Sequence, residues 1–461
     1  MNELWDQLKA VVGSRGYREE DGIDIKNYRD YQGDRQIRPR ILLRPESTEE
    51  VSKIMKFCHQ AGQAIAPQGG MTGLVSAAAP MEGEIALSFD RMNQIIELDP
   101  LTATITVEAG APLQAVQEHA AKNGFLFPLD LGARGSCTIG GNLSTNAGGN
   151  RVIRYGMMRD LVLGVEAVLA DGTIINGLHK LTKNNTGYDL KHLFIGTEGT
   201  LGIITRAVLK LSSQPRSQLL AFCGLKNFDA VAQLLVHMKS NLGGNLCAFE
   251  VIWQEAYQLL DLIESVKKPL PDEHGFYVLV ESMGSSAKED KTQFDNALES
   301  AFAANLLEDA VVSHSSAEVK DLWLIRDGLP EVPSKVGAMH SYDISLAVGD
   351  MGYFGNEVTA RLRKRWSNCI LALFGHIGDG NLHIIIHVGP DTVALHQEID
   401  QIVYELTREL HGSISAEHGI GIMKRDFLHY SRSSEEIALM KMLKQTIDPK
   451  GILSPGRVVE I

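Results

Sequence analysis

Cys137-Thr-Ile-Gly-Gly-Asn-Leu-Ser-Thr-Asn-Ala-Gly-Gly149 decides the fold, because it crowds glycine with small hydroxyl and amide side chains behind a β-like segment. Glycine lets consecutive backbone N–H groups converge on an anion, and Ser and Thr hydroxyls add donors. A run of the same character, Pro67-Gln-Gly-Gly-Met-Thr-Gly73, lies upstream. One such run reads equally well as a tight turn. Two of them, both entered from β-like sequence, predict a pair of loops around a diphosphate. Neither GxGxxG nor GxxxxGK[ST] occurs, which excludes a Rossmann fingerprint and a P-loop. A third run, Gly196-Thr-Glu-Gly-Thr-Leu-Gly-Ile-Ile204, either lines a ring system by close backbone approach or enters a strand through a bulge.

Around these loops, helix and strand patterns alternate. Residues 49–61 carry helical spacing behind the cap-like Ser47-Thr48, and Gly62 leads into a β stretch at 64–68. Segments 84–89 and 94–108 read as strands turning at Asp99-Pro100. Pro112 opens a helix over 112–123 that Gly124 ends. Asp171-Gly172, between strands at 161–169 and 173–177, signals a hairpin. At Gln214-Pro215 the texture changes, and 218–310 reads as an α+β domain with helices at 229–240 and 287–304. A helix over 434–447 precedes the run 447–457, and the amphipathic N-terminus reads as a first helix, not a secretory signal.

The 461 residues suit two domains of about 200 residues each. With 44 Lys and Arg against 57 Asp and Glu, net charge −13, and no basic block, nucleic acid is excluded as a partner. Five scattered cysteines without CxxC spacing read as reduced thiols of a cytoplasmic protein. No apolar run reaches the ~18 residues a membrane span needs, so no transmembrane segment is expected.

Two glycine-punctuated segments carry the chemistry: Gly375-His-Ile-Gly-Asp-Gly-Asn-Leu-His383 and Ala416-Glu-His-Gly419. His376, His383 and Glu417 form a normal ligand set for zinc or a neighbouring divalent metal with an open position. Taken alone, the set reads as a metal-dependent hydrolase without flavin. That reading lacks HExxH and leaves both glycine loops unexplained.

The motifs taken together resemble a known family. PQGGMTG (67–73), TIGGNLSTNAGG (138–149), NNTGYDL (184–190) and GTEGTLGIIT (196–205) are similar to the FAD-binding half of flavoproteins of the vanillyl-alcohol-oxidase, or PCMH, type. HIGDGNLH (376–383), AEHGIG (416–421) and DPKGILSPGR (448–457) resemble the C-terminal half of its D-2-hydroxyacid dehydrogenase branch. That branch holds D-lactate dehydrogenases, the glycolate oxidase flavin subunit and D-2-hydroxyglutarate dehydrogenases.

The resemblance implies an α+β fold: a two-lobed FAD-binding domain over 1–214, a substrate domain with an antiparallel sheet over 215–410, and C-terminal helices over 411–461. It implies FAD held by Pro67, Gly69, Gly70, Met71, Thr72 and Gly73 on one side, and by Ser136, Thr138, Gly140, Gly141, Asn142, Asn146, Gly148 and Gly149 on the other. Glu198, Gly199, Gly202 and Ile203 would run beside the flavin. Some distant relatives bind FAD covalently through a histidine in the first loop; here the loop has Met71 and no histidine, so non-covalent FAD is expected. By the same resemblance His376, His383 and Glu417 bind zinc or a similar divalent metal and His418 is the base. Arg326 would clamp the substrate carboxylate, where the residues alone also allow a helix-surface pair with Asp327 or Glu331. His387 stays structural.

Two departures bear on the substrate. D-2-hydroxyglutarate dehydrogenases have a lysine where this chain has Ser341 and an asparagine where it has Ile385, and both groups serve substrate recognition there. A smaller or more apolar D-2-hydroxy acid such as D-lactate is therefore expected, with D-2-hydroxyglutarate as the alternative if His340 or Lys335 supplies a cation. Expected partners are this 2-hydroxy acid, an electron acceptor such as an electron-transferring flavoprotein, quinone or cytochrome, and a second copy in a homodimer. An oxidase that passes electrons to oxygen and a non-catalytic subunit of a larger complex are the remaining rivals.

Overall fold

Ser47 starts the first lobe's main helix as the pattern requires: its hydroxyl accepts from Glu50 N, and the helix Thr48–Ala61 ends where Gly62 turns left-handed. The helix buries Val51, Ile54, Met55 and Cys58 against a small sheet. This computed structural model describes residues 2–29, 36–337, 339–389 and 392–461. The described chain divides into two compact units.

The first unit comprises Met1–Gly149, Gly156–Gln214 and Glu417–Ile461. Its first sheet contains β1 (Tyr17–Glu19), β2 (Ile41–Leu43), β3 (Ile65–Gln68) and β4 (Ile85–Ser88) in the order β1-β2-β4-β3, with β2, β4 and β3 parallel. Residues 452–454 extend this sheet: Ile65 N donates to Ile452 O at 2.8 Å, and Ser454 N to Ile65 O at 3.0 Å. Ile452 and Leu453 thereby enter the lobe's core beside Leu43, Ile54 and Leu87.

The second lobe begins with β5 (Ile95–Asp99) and β6 (Thr104–Glu108) and carries a two-residue strand, β7 (Phe125–Leu126). Its sheet continues with β8 (Val162–Val168), β9 (Ile174–Asn176) and β10 (Ile203–Lys210), in the antiparallel order β5-β6-β10-β8-β9. β7 pairs with β11 (Ser212–Ser213). Gly172 makes the β8–β9 turn with φ 85°. One expectation needs correcting: Ile139–Ser144, read as loop, is a short helix that starts beyond the extended Thr138.

The second unit comprises Asn150–Tyr155 and Pro215–Ala416, so the break falls past the expected 411. Ser413 forms a bridge to Ser345, which keeps residues up to Ala416 with this unit. Its sheet contains β12 (Ser217–Leu225), β13 (Leu246–Trp253), β14 (Phe276–Gly284), β15 (Asp309–Val312), β16 (His340–Ser345), β17 (Ile370–His376) and β18 (Asn381–His387). All seven run antiparallel in the order β15-β12-β14-β13-β17-β18-β16. Tyr257, Leu260, Val319, Leu322, Trp323 and Ile325, from the helical segments 254–262 and 316–327, pack in one cluster with Phe222, Ile252, Tyr277, Phe374 and Ile385 of the strands.

Candidate active site

In the first unit, the glycines of the sequence runs work by letting backbones touch. A Cβ on Gly69 would stand 2.6 Å from Thr138 Oγ1, and one on Gly70 would overlap the Ser136 carbonyl. The first loop and the helical turn at 139–144 are thus pressed together. Pro67, Gly69, Thr138, Gly140, Gly141, Glu198, Gly199, Gly202 and Ile203 line one cavity, joined by Gln68, Ala77, Ala78, Phe89, Ala109, Ser144, Thr145 and Ile204. Gly70, Met71, Thr72, Gly73, Ser136, Asn142, Asn146, Gly148 and Gly149 are not in that lining. Several of them shape the loops. Asn146 accepts from Arg159 N at 2.8 Å, and Gly149 leaves room for the Asp130 carbonyl.

The cavity suits a polar ligand. Thr138 Oγ1 is buried with no hydrogen-bond partner among the described residues, which is costly unless a ligand supplies one. Met71, Asn146 and Glu198 all adopt left-handed φ between 49° and 56°, where non-glycine backbone is strained; such strain collects at functional sites. Hydroxyl donors beside closely approaching glycine backbone fit the diphosphate and ring system read from the sequence.

In the second unit, period-two alternation aligns four polar side chains on one sheet face. Glu250 pairs with His376 across β13 and β17, while His383 pairs with Phe374 and Asp343 across β17, β18 and β16. The imidazoles of His376 and His383 lie 5.2 Å apart, nearly perpendicular. Glu250 Oε1 is 2.6 Å from His376 Nδ1 and Asp343 Oδ1 is 3.7 Å from His383 Nδ1. A carboxylate behind each ring is the arrangement that orients a ligating or proton-carrying imidazole.

Arg326 lies buried on the helix Ser316–Asp327 and closes this row, correcting the surface alternative: its partner is neither Asp327 nor Glu331. Its Nε donates to Glu250 Oε2 at 2.8 Å, and its Nη2 faces His376 Nε2 at 3.3 Å. Burial pushes the Glu250 pKa up, but the adjacent His376 and Arg326 outweigh it and hold the carboxyl below its ordinary value. Asp343 also accepts from Asn381 Nδ2 at 2.7 Å and from Ala416 N at 3.1 Å, which fixes the residue directly before Glu417 and His418. Those two belong to the first unit, each half-buried.

Sequence reasoning missed Glu250 and gave Asp343 no role. The signal was present: Glu250 is a lone acid in an apolar strand and Asp343 lies between Tyr342 and Ile344, and a buried acid survives only with partners. The structure also excludes His340 as a substrate cation beside His383. It pairs with Ile386 on the opposite face and meets His396 edge-on at 4.6 Å. Lys335 is exposed on the short helix Pro333–Val336.

Comparison with known proteins agrees with the motifs. Residues 214–458 match the C-terminal domain of FAD-linked oxidases, and residues 39–177 match an FAD-binding domain. The chain is 41% identical over 421 residues to the mitochondrial D-2-hydroxyglutarate dehydrogenase of Arabidopsis thaliana, covering 91% of this chain and 75% of the relative. It is 38% identical over 430 residues to a D-2-hydroxyglutarate–pyruvate transhydrogenase of Saccharomyces cerevisiae, covering 91% and 86%. Among solved structures, p-cresol methylhydroxylase superposes with a TM-score of 0.78 at 16% identity, covering 100% of this chain and 97% of that one, which shows the PCMH-type fold. Matched FAD-binding domains leave no place for the flavin-free hydrolase. With the fold, both domain matches and relatives across nearly its whole length, the chain belongs to the family of FAD-linked D-2-hydroxyacid dehydrogenases.

Proposed function

We propose that the chain oxidises a D-2-hydroxy acid without a second carboxylate, D-lactate or a close analogue, to the 2-oxo acid. One observation carries the substrate choice. Ser341 and Ile385 are register partners on the same sheet face as Asp343 and His383, one pair further along. Ile385 is buried in the apolar cluster with Val332 and Phe374. A second carboxylate against it would lose its water and gain no cation. The resemblance puts a lysine and an asparagine at these places in enzymes that take the diacid.

When bound, FAD would supply the two-electron acceptor for the hydrogen on the substrate Cα, and a divalent cation, zinc in our reading, would favour loss of the hydroxyl proton. The chain's part is to bind and orient. His376 and His383, each backed by a carboxylate, and Glu417 hold the cation in this proposal, and His418 takes the hydroxyl proton. Arg326, whose guanidinium lies against His376 Nε2 at 3.3 Å, would bind the substrate carboxylate beside the cation. Met71 stands in the first loop, and in this proposal FAD is dissociable and is released into the supernatant on acid precipitation. Electrons pass on to a protein or quinone acceptor. Peroxide matching dye reduction would instead mark an oxidase. All five cysteines are free and buried, in keeping with a reducing compartment such as the cytoplasm; among the described residues no helix is long and apolar enough to cross a membrane.

Anaerobic flavin bleaching by D-lactate and D-2-hydroxyglutarate, before and after chelator treatment, tests both parts. D-lactate should bleach the flavin faster at equal subsaturating concentration, and chelation should stop bleaching while flavin stays bound. Preference for D-2-hydroxyglutarate overturns the substrate choice. Undiminished bleaching after the metal is gone overturns the cation.

A further inference from the structure

Glu198 was expected to contact the flavin, yet its carboxylate is engaged elsewhere. It lines the cavity, is buried, and holds a left-handed φ of 54° while its own N–H donates to Ser144 O at 2.8 Å. Its Oε1 accepts from Ile420 N at 2.7 Å and its Oε2 from Gly421 N at 2.8 Å. The two amides follow His418 and Gly419 in the chain. Gly419 and Gly421 both have left-handed φ, of 86° and 51°, and a Cβ on Gly419 would stand 2.7 Å from Glu198 Oε1. On its far side the turn is tied by Ile422 N to Val75 O and by Val458 N to Gly421 O, each at 3.0 Å.

We propose that Glu198 is a positioning residue that fixes the His418-bearing turn to the wall of the flavin cavity through two consecutive backbone amides. This rests on the reading of His418 as the base. Both carboxyl oxygens can accept from these N–H groups, most strongly when the group is ionised. Burial wins and holds the Glu198 pKa above its ordinary value, against the two amides and the nearby Lys424 and Arg457, which favour the ionised form. A negative charge pointing at a diphosphate would repel it, whereas one spent on amides next to Gly419 sets where His418 stands.

The test is Glu198→Gln, which keeps the volume but turns one acceptor into a donor facing an N–H. Flavin reduction by saturating D-lactate, or by D-2-hydroxyglutarate if that is the better substrate, should slow about 10- to 100-fold, the value of one lost hydrogen bond to a charged acceptor. KM and the affinity of apoprotein for FAD should stay within about threefold, well under that loss. Hydrogen exchange over 417–424 should speed up in the same variant. The reverse pattern, lost FAD affinity with an unchanged reduction rate in the remaining holoenzyme, makes Glu198 a cofactor ligand and overturns the proposal. So does unchanged exchange over 417–424. If neither acid bleaches the wild-type flavin, the substrate reading fails while the exchange result still judges the turn. Should Glu198→Gln not fold, Glu198→Asp, which keeps the charge but withdraws it by one methylene, must show the same exchange change, and protection equal to wild type sinks the idea.

Discussion

Glu250 shows how much of the site rests on residues that orient other residues. Its two oxygens hold an arginine and a histidine from different elements, so one buried charge sets both orientations. The histidines were legible from their glycine-flanked motif. Glu250 was not, because a single acid in a strand declares its partners only through register. The same register gives the residue-scale prediction for specificity. Ser341 is exposed and Ile385 buried, and they face one another beside the His383–Asp343 pair. The double variant S341K/I385N should raise kcat/KM for D-2-hydroxyglutarate relative to D-lactate by about tenfold or more, one well-placed interaction of 1.4 kcal/mol. Steady-state kinetics on both acids checks it, and an unmoved ratio puts the specificity elsewhere.

Elements with chemical punctuation were readable from sequence. The helix Thr48–Ala61 has its Ser47 cap and Gly62 stop, and the β8–β9 hairpin has its Asp171-Gly172 turn. The run at 139–144 was not, because glycine content argues for loop while its position, pressed on the first loop, selects a helical turn. Contact between the two runs also escaped the sequence. Neither motif says that Gly70 rests on the Ser136 carbonyl. Gly70→Ala forces those backbones apart and should cost about 1–3 kcal/mol, as overpacking does. The expected result is a protein that purifies with substoichiometric flavin and melts lower than wild type. Full flavin content would show that the loops yield freely.

For the whole molecule, fold class was legible because motifs of both halves occur in order along one chain, whereas the assignment of residues to units was not. Asn150–Tyr155 groups with the second unit, held by Arg151 Nε to Glu281 at 2.9 Å, although it directly follows the second glycine run. No local pattern announces such a crossover. Cysteine usage is a property of the entire chain and gives a prediction at that scale. All five thiols are buried, and burial pushes Cys58 and Cys223 up to about 12 and Cys369 to about 11. Since the thiolate is the reactive form, native protein at pH 8 should consume almost none of a thiol-specific reagent and denatured protein five equivalents. Rapid labelling of the native protein would contradict this burial.

The pairing of Ile65 with Ile452, reinforced by Arg457 on Glu84 and on the Ala77 and Ala79 carbonyls, bears on biosynthesis. A ribosome delivers β3 and the first loop hundreds of residues before the segment that completes their core. Until 452–457 emerges, the nascent first lobe lacks the sheet neighbour of Ile65 and the arginine that pairs with Glu84. Completion of this core therefore waits for the whole stretch between β3 and residue 457, and in that interval an open strand edge needs chaperone cover.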